Sequence, residues 1–399
     1  MAQPVLIVGA GLAGLSLART LSSYRVPVRI FEASPEIRKY SYGITLLSWA
    51  YQPLVSTLKL GSVEQLKAAT ATDAQVGGSG LISAQVKDAY TGATLLSESP
   101  REPKAPQSYR CSRFKLGQLL AQGLDIEFGC KLDRVEQKAS GVQLHFEGGK
   151  TAQGSLIVAA DGIHSVVRKG LLPAVTPTVM PAMAINGRVS LARSHFLAEV
   201  AKYMNGSQTM LGAADRTAVH LAVSNHTDSN VLLSWTFTWQ PEVLVRDHDV
   251  SSRKSVNDAC KIPEDFFDRL SELGPLAEPF RSIMTPDAAR RSAKYNWLIR
   301  SVQIPYSELQ DSAGSGIVLT GDAAHAMPIV AGEGGNHALL DGMQLGEILA
   351  LSNTETVEKK LRTFYSSQFR RWKDGTVSSQ HQFSDLHKPM SQWHRLSSP

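Results

Sequence analysis

Three glycines, Gly9, Gly11 and Gly14, stand in the spacing Gly-x-Gly-x-x-Gly, directly after the apolar run Pro4-Val-Leu-Ile-Val8 and at the start of an Ala/Leu/Ser-rich helical pattern. Glycines so spaced handle a pyrophosphate: the first permits a tight turn, the second admits the phosphate to the backbone, and the third lets helix and strand pack closely. The helix N-terminus then offers free N–H groups and the positive end of its dipole to negative charge. Glu32 closes a second apolar run at residues 26 to 32, where an acid about 20 residues beyond the glycines accepts hydrogen bonds from ribose hydroxyls. Ala13 and Ala33, beside these positions, complete the first group expected at a cofactor. By itself this βαβ fingerprint does not separate NAD from FAD.

Residues 317 to 341 read Ile-Val-Leu-Thr-Gly-Asp-Ala-Ala-His-Ala-Met-Pro-Ile-Val-Ala-Gly-Glu-Gly-Gly-Asn-His-Ala-Leu-Leu-Asp. A strand ending at Gly321 puts the Asp322 carboxylate at the C-terminal edge of a parallel sheet, where it can accept hydrogen bonds from polyol hydroxyls. Gly332, Gly334 and Gly335 let the backbone lie close to a flat ring, and a helix starting near Asn336 aims its positive end at that ring. The segment resembles the Gly-Asp motif of the group A FAD-dependent monooxygenases, the para-hydroxybenzoate hydroxylase-like family, with loop spacing closest to the tetracycline-inactivating branch. Asp161-Gly162-Ile-His-Ser165-Val-Val-Arg168 resembles the family's Asp-Gly motif, although Asp161 or Ser165 also reads as a plain helix cap. Arg113, in Cys-Ser-Arg-Phe-Lys-Leu, matches the family's arginine that reaches the FAD pyrophosphate region.

The resemblance covers most of residues 4 to 46, 109 to 170 and 315 to 350. It implies FAD as cofactor, NADPH or NADH as electron donor, and dioxygen as oxidant through a C4a-hydroperoxyflavin. One oxygen atom would enter an aromatic or polyketide-like small molecule by hydroxylation or epoxidation. The flavin carries that chemistry, so no side chain is assigned as a catalytic base, and His325 is expected to shape the loop. Two residues depart from the family pattern: Glu333 stands where glutamine is common, and Ile329 where a second proline is common. Trp235-Thr-Phe-Thr-Trp239 does not match the Trp-x-Trp-x-Ile-Pro signature of flavin-dependent halogenases, and a second Gly-x-Gly-x-x-Gly is absent. The alternatives are a flavin-dependent reductase or dehydrogenase of the same fold, or a flavoprotein with a non-redox template role.

These residues require particular elements around them. The apolar runs at 4–8, 26–32, 155–160 and 316–320 suit central strands of one parallel sheet, whereas 209–223 and 230–239 alternate as antiparallel strands do. The expected fold is α/β: a discontinuous Rossmann-like FAD-binding domain (1–175 and 285–350), an inserted β-rich substrate domain (176–284), and a helical C-terminal segment (351–399). Helices are expected at 337–350 and 355–373, with an aperiodic polar tail from Gly375. In the inserted domain Arg188, His220 and Trp235 are candidate substrate-pocket residues. Val231, Leu233, Trp235, Phe237 and Trp239 share one strand face, which suits either a flat substrate or a core.

The chain's 399 residues, 43% hydrophobic and 19% charged, suit a soluble globular enzyme, not a disordered or membrane-spanning chain. Residues 1–18 lack the basic start of a signal peptide, and three cysteines imply no disulfide framework, so a cytoplasmic address is expected. A net charge of +5, from 41 basic and 36 acidic residues spread along the chain, gives no dense patch for nucleic acid. No metal site is expected.

Overall fold

A computed structural model of the chain describes residues 3–39, 42–97, 107–138, 141–240, 260–329, 332–351 and 355–396. Five strands, numbered here in chain order, form a parallel sheet: β1 (Val5–Val8), β2 (Val28–Phe31), β7 (Ile126–Glu127), β11 (Leu156–Ala159) and β17 (Ile317–Leu319), in the order β17-β11-β1-β2-β7. The register aligns Val8 with Ala159 and Ala159 with Leu319. The loops after β1, β11 and β17 therefore leave the same edge side by side, and these are the loops that carry the three motifs. All four residues of β1 and of β11 are buried, as continuous apolar runs in a helix-covered parallel sheet must be.

Close helix packing fixes that edge. Helix Leu12–Ser23 follows the glycine loop, and a Cβ added to Gly14 would lie 2.0 Å from the Gly9 carbonyl oxygen. Gly9 itself has φ +103°, a conformation only glycine adopts without strain.

The second layer is a seven-stranded sheet ordered β16-β12-β15-β14-β13-β4-β5, built from β4 (Gln85–Asp88), β5 (Thr94–Ser97), β12 (Thr178–Ala192), β13 (Thr209–Ala214), β14 (Thr217–His226), β15 (Asn230–Trp239) and β16 (Ala293–Ser301). It reaches beyond the expected limits of 176 and 284: β4, β5 and β16 come from segments assigned to the cofactor domain. Short flanking strands gave no periodicity strong enough to place them. The alternating stretch 209–223 is a hairpin that turns at Asp215 and Arg216. Between the layers β3 (Gly43–Leu46) pairs antiparallel with β6 (Tyr109–Ser112), and β8 (Leu132–Lys138), β9 (Gly141–Phe146) and β10 (Thr151–Gly154) form a small antiparallel sheet.

The seven-stranded sheet has two unlike faces. Val231, Leu233, Trp235, Phe237 and Trp239 pack with Phe266, Phe267, Leu270, Phe280 and Ile283 in one buried cluster. The opposite face carries Asn186, Arg188, His220, Ser234, Thr236 and Thr238, paired across β12, β15 and β14.

The C-terminal helix runs from Val357 to Leu386, well past the expected end near 373. Glycine in a helix interior costs about 1 kcal/mol relative to alanine, but Gly375 sits where a Cβ would lie 2.6 Å from His337 Nε2, so packing selects it. The helix spans about 45 Å. Its Leu361, Phe364, Tyr365 and Trp372 join the core of the parallel sheet, while Phe383 packs on Ala182, Ala184 and Ile299 of the seven-stranded sheet. Among the described residues no helix is long and apolar enough to cross a membrane.

Candidate flavin-binding site

At the glycine loop, Gly9 N–H donates to the Phe31 carbonyl at 2.7 Å, tying the end of β1 to β2. A Cβ added to Gly11 would meet nothing within 4 Å, so the space before the helix N-terminus is open, as a phosphate requires. Glu32 holds the loop in shape: Oε2 accepts from Ala10 N at 2.8 Å and Oε1 from Ser34 N at 2.9 Å. Ala33 is exposed between these contacts.

The Asp161 loop meets the Asp322 turn through one arginine. Arg168, buried at the start of the short helix Val166–Leu171, donates to the Ala323 carbonyl at 2.8 Å and to the Ile163 carbonyl at 2.5 Å. Asp161 is also a cap, since its Oδ2 accepts from Val166 N at 2.8 Å while Ser165 Oγ accepts from Arg168 N at 2.9 Å. Its Oδ1 is buried with no partner in the structure, and burial raises its pKa against the hydrogen bonds that lower it. Ala13 is buried under the Asp322 turn, where a Cβ on Gly321 would come within 3.0 Å of it. Loops from all three motifs are thus in mutual contact.

Asp322 is exposed at the first turn of Asp322–His325, and a Cβ on Gly334 would lie 3.8 Å from its Oδ1. The helix Gly334–Leu351 begins beside it, with Gly335 facing Leu12 and Ile44, while Gly332 has φ +67°. Asn336, fully buried, is a latch: its Oδ1 accepts from Leu47 N at 2.8 Å, and its Nδ2 donates to the Thr45 carbonyl at 2.9 Å. Arg113 stacks its guanidinium 5.5 Å from the Tyr42 ring centroid and donates to the Tyr42 hydroxyl.

Beneath the turn lies a network that the motifs did not reveal. The Asp341 carboxylate, fully buried, accepts from Gly321 N at 3.0 Å, His325 Nε2 at 2.5 Å, Arg371 Nη2 at 2.6 Å and Trp372 Nε1 at 2.8 Å. Burial alone would raise its pKa, but His325, Arg371 and the Trp372 N–H outweigh burial and hold the carboxyl well below the usual carboxylate range. His337, one helical turn before Asp341, accepts at Nδ1 from Arg371 Nη1 at 2.7 Å and lies 3.6 Å from the Glu333 carboxylate. Glu333, the departure from glutamine, therefore has a nearby imidazole. The i,i+4 spacing of His337 and Asp341 is the one sequence signal that could have exposed this cluster.

The substrate-pocket candidates separate. Trp235 is not on the face turned toward the cofactor unit: it is fully buried, stacked on Phe266 at 6.1 Å, with its indole N–H donating to Ser292 Oγ at 3.1 Å. Its alternation with four other large apolar residues placed it in the core instead. Arg188 and His220 do lie on the opposite, polar face. The Arg188 guanidinium sits 5.7 Å from the Tyr295 ring centroid, and burial, with Arg110 adding to it, pushes the His220 pKa down to about 3. Arg110, on β6, was not anticipated.

A family profile described as FAD binding domain matches residues 2–262 and 309–378. The chain is 32% identical to the FAD-dependent monooxygenase aptC of Emericella nidulans, over 98% of this chain and 97% of that protein. It is 33% identical to the FAD-dependent monooxygenase nscC of Neosartorya fischeri, over 99% and 98% respectively. The chain belongs to the FAD-dependent monooxygenases. The fold of this monooxygenase is also that of Klebsiella pneumoniae HpxO, solved with FAD and uric acid: TM-score 0.73, 20% identity, covering 99% of this chain and 92% of that one. The tetracycline destructase Tet(55) shares the fold at TM-score 0.64 and 18% identity, with 94% and 88% covered. As a member of this family, the monooxygenase is a flavoprotein that binds FAD.

Proposed function

We propose that this monooxygenase takes electrons from NADH or NADPH and inserts one atom of dioxygen into an aromatic or polyketide-like small molecule. The observation that carries this reading is the convergence of the three loops at one sheet edge, facing a polar sheet across β3 and β6. Within it, the loop of Gly9, Gly11 and Gly14 receives the FAD pyrophosphate with help from Arg113, and Glu32 presents its carboxylate to the adenosine ribose. Asp322 accepts hydrogen bonds from the ribityl chain. The backbone at Gly332, Gly334 and Gly335 lies along the isoalloxazine, and the helix that carries Asn336 directs its positive end at the pyrimidine side. The Asp161 loop lines the groove along which the nicotinamide cofactor approaches.

FAD bound here would supply hydride acceptance and oxygen activation; the protein supplies position, dryness and electrostatics. The polar face with Arg188 and His220 roofs the substrate site. The uric acid seen in HpxO supports a flat small molecule as substrate.

The test is turnover in isotopically heavy dioxygen with a substrate found by screening for NAD(P)H consumption. The expected product gains one heavy oxygen per NAD(P)H oxidised. Oxygen drawn from water, or a product reduced without oxygen gain, refutes the reading.

A further inference from the structure

Among the described residues, Arg110 is a buried cation without a counterion. It is 7% exposed, its Nε has no acceptor, and its one recorded side-chain hydrogen bond is a long one from Nη1 to Thr45 Oγ1 at 3.4 Å. Burial lowers its pKa to about 10, and the groups that oppose this are Cys111 and Tyr42; no carboxylate is among them. A guanidinium held in a desolvated place is costly unless an anion meets it.

Its surroundings show where that anion would come from. On β3, paired with β6, the side chains alternate: Ile44 faces the flavin loop, where Gly335 would touch it, while Thr45 and Arg110, directly paired, point the other way. His220 is close enough on that side for Arg110 to depress its pKa. His220 is therefore neutral at physiological pH and leaves Arg110 as the positive charge at this spot. From the same sheet face project Asn186, Arg188, Ser234 and Thr236, none of them acidic, and the Arg188 Nε is also buried without an acceptor. The Thr45 carbonyl accepts from Asn336, so the subsite lies one residue from the flavin loop.

We propose that Arg110 is the substrate-recognition residue for an oxyanion on a flat ring, whether phenolate, enolate or carboxylate, with His220 as its uncharged hydrogen-bonding neighbour. The assignment rests on the proposal that this sheet face roofs the substrate site. It adds that the preferred substrates are acidic, planar hydroxyarenes or enolised diketones. An anionic ring is also the more electron-rich form, which suits oxygenation.

The experiment uses the FAD-loaded enzyme and two probes of one shape, 3-hydroxy-2-naphthoate and 3-hydroxy-2-naphthamide, titrated by the change in the flavin absorbance spectrum. Wild type should bind the naphthoate at least about tenfold tighter than the amide, the scale of one charge-assisted hydrogen bond. Arg110→Gln should abolish that preference while leaving amide affinity within about twofold and FAD content per chain unchanged. Arg110→Lys, which keeps the charge, should retain a reduced preference and serves if the glutamine variant fails to fold. Equal affinities in wild type, no binding of either probe, a preference that survives Arg110→Gln, or loss of FAD from that variant each overturns the assignment. None of these outcomes bears on oxygen incorporation, which tests the monooxygenase reading separately.

Discussion

Replacing Asp341 by asparagine should unfold the floor of the flavin site. The substitution keeps shape and removes a charge. Asparagine has one acceptor oxygen, so its amide nitrogen must face either Gly321 N–H and His325 or the Arg371 and Trp372 N–H groups, donor against donor. It also leaves Arg371, whose side chain is 22% exposed, without its buried anion. Breaking a buried pair by removing one partner costs about 3–5 kcal/mol, and at roughly 2–4 °C per kcal/mol the melting temperature should fall on the order of 10 °C. Calorimetry with and without excess FAD measures this. The pH dependence supplies a second arm. A carboxyl whose folded pKa is depressed contributes stability that is fully present above its unfolded value near 4 and is lost as the pH falls toward the folded pKa. Wild type should therefore weaken below about pH 4 by a component that Asp341→Asn lacks. A loss smaller than about 1 kcal/mol, or an acid limb identical in the two proteins, refutes this account of the network.

Asp322→Ala should weaken FAD binding by roughly 2–4 kcal/mol, because a carboxylate accepting charge-assisted hydrogen bonds is removed, while the fold survives in excess FAD; equilibrium dialysis measures the change. Heat-released cofactor should chromatograph as FAD and not FMN, since the glycine loop and Glu32 serve an adenosine half that FMN lacks. Trp235→Ala should destabilise the chain by about 3–5 kcal/mol in thermal melts yet leave the KM for substrate unchanged, as expected for a core residue. Gly14→Ala should yield little folded protein in expression trials, because the added methyl would lie 2.0 Å from the Gly9 carbonyl oxygen.

The parallel strands β1, β11 and β17 were legible because each is a short apolar run that ends at or just before a glycine or aspartate, and the three motifs mark where the chain leaves the sheet; β7, two residues long, gave no such run. Asn336 could be placed at its helix start for the same reason. Its latch to Thr45 and Leu47 could not, because that contact joins residues far apart in sequence. The same holds for β4, β5 and β16: brief strands take their sheet from tertiary neighbours, and local pattern carries no record of which neighbours those are. Trp235 shows a different limit. Period-two alternation placed it correctly with Phe237 and Trp239, but alternation says only that two faces exist, and the helices that share its cluster come from distant segments, residues 193–204 and beyond residue 263. Arg110 escaped notice because a lone arginine on a strand looks like a surface residue until its burial is known.

The helix Val357–Leu386 has a consequence for how the enzyme is made. Synthesis delivers β1, β2 and β11 early, but β17, which pairs with β11 at the sheet's edge, and the helix that supplies Arg371 and Trp372 come only after the entire seven-stranded sheet has been translated. At about 5–20 residues per second the nascent chain carries an open, fully apolar edge on β11 for on the order of ten seconds. Premature termination just before Arg371 therefore yields a chain that keeps its glycine loop but lacks the cation that neutralises Asp341. Such products should be substrates for chaperones and proteases and not slow enzymes, and a stop codon just before Arg371 should be as damaging as one far upstream of it.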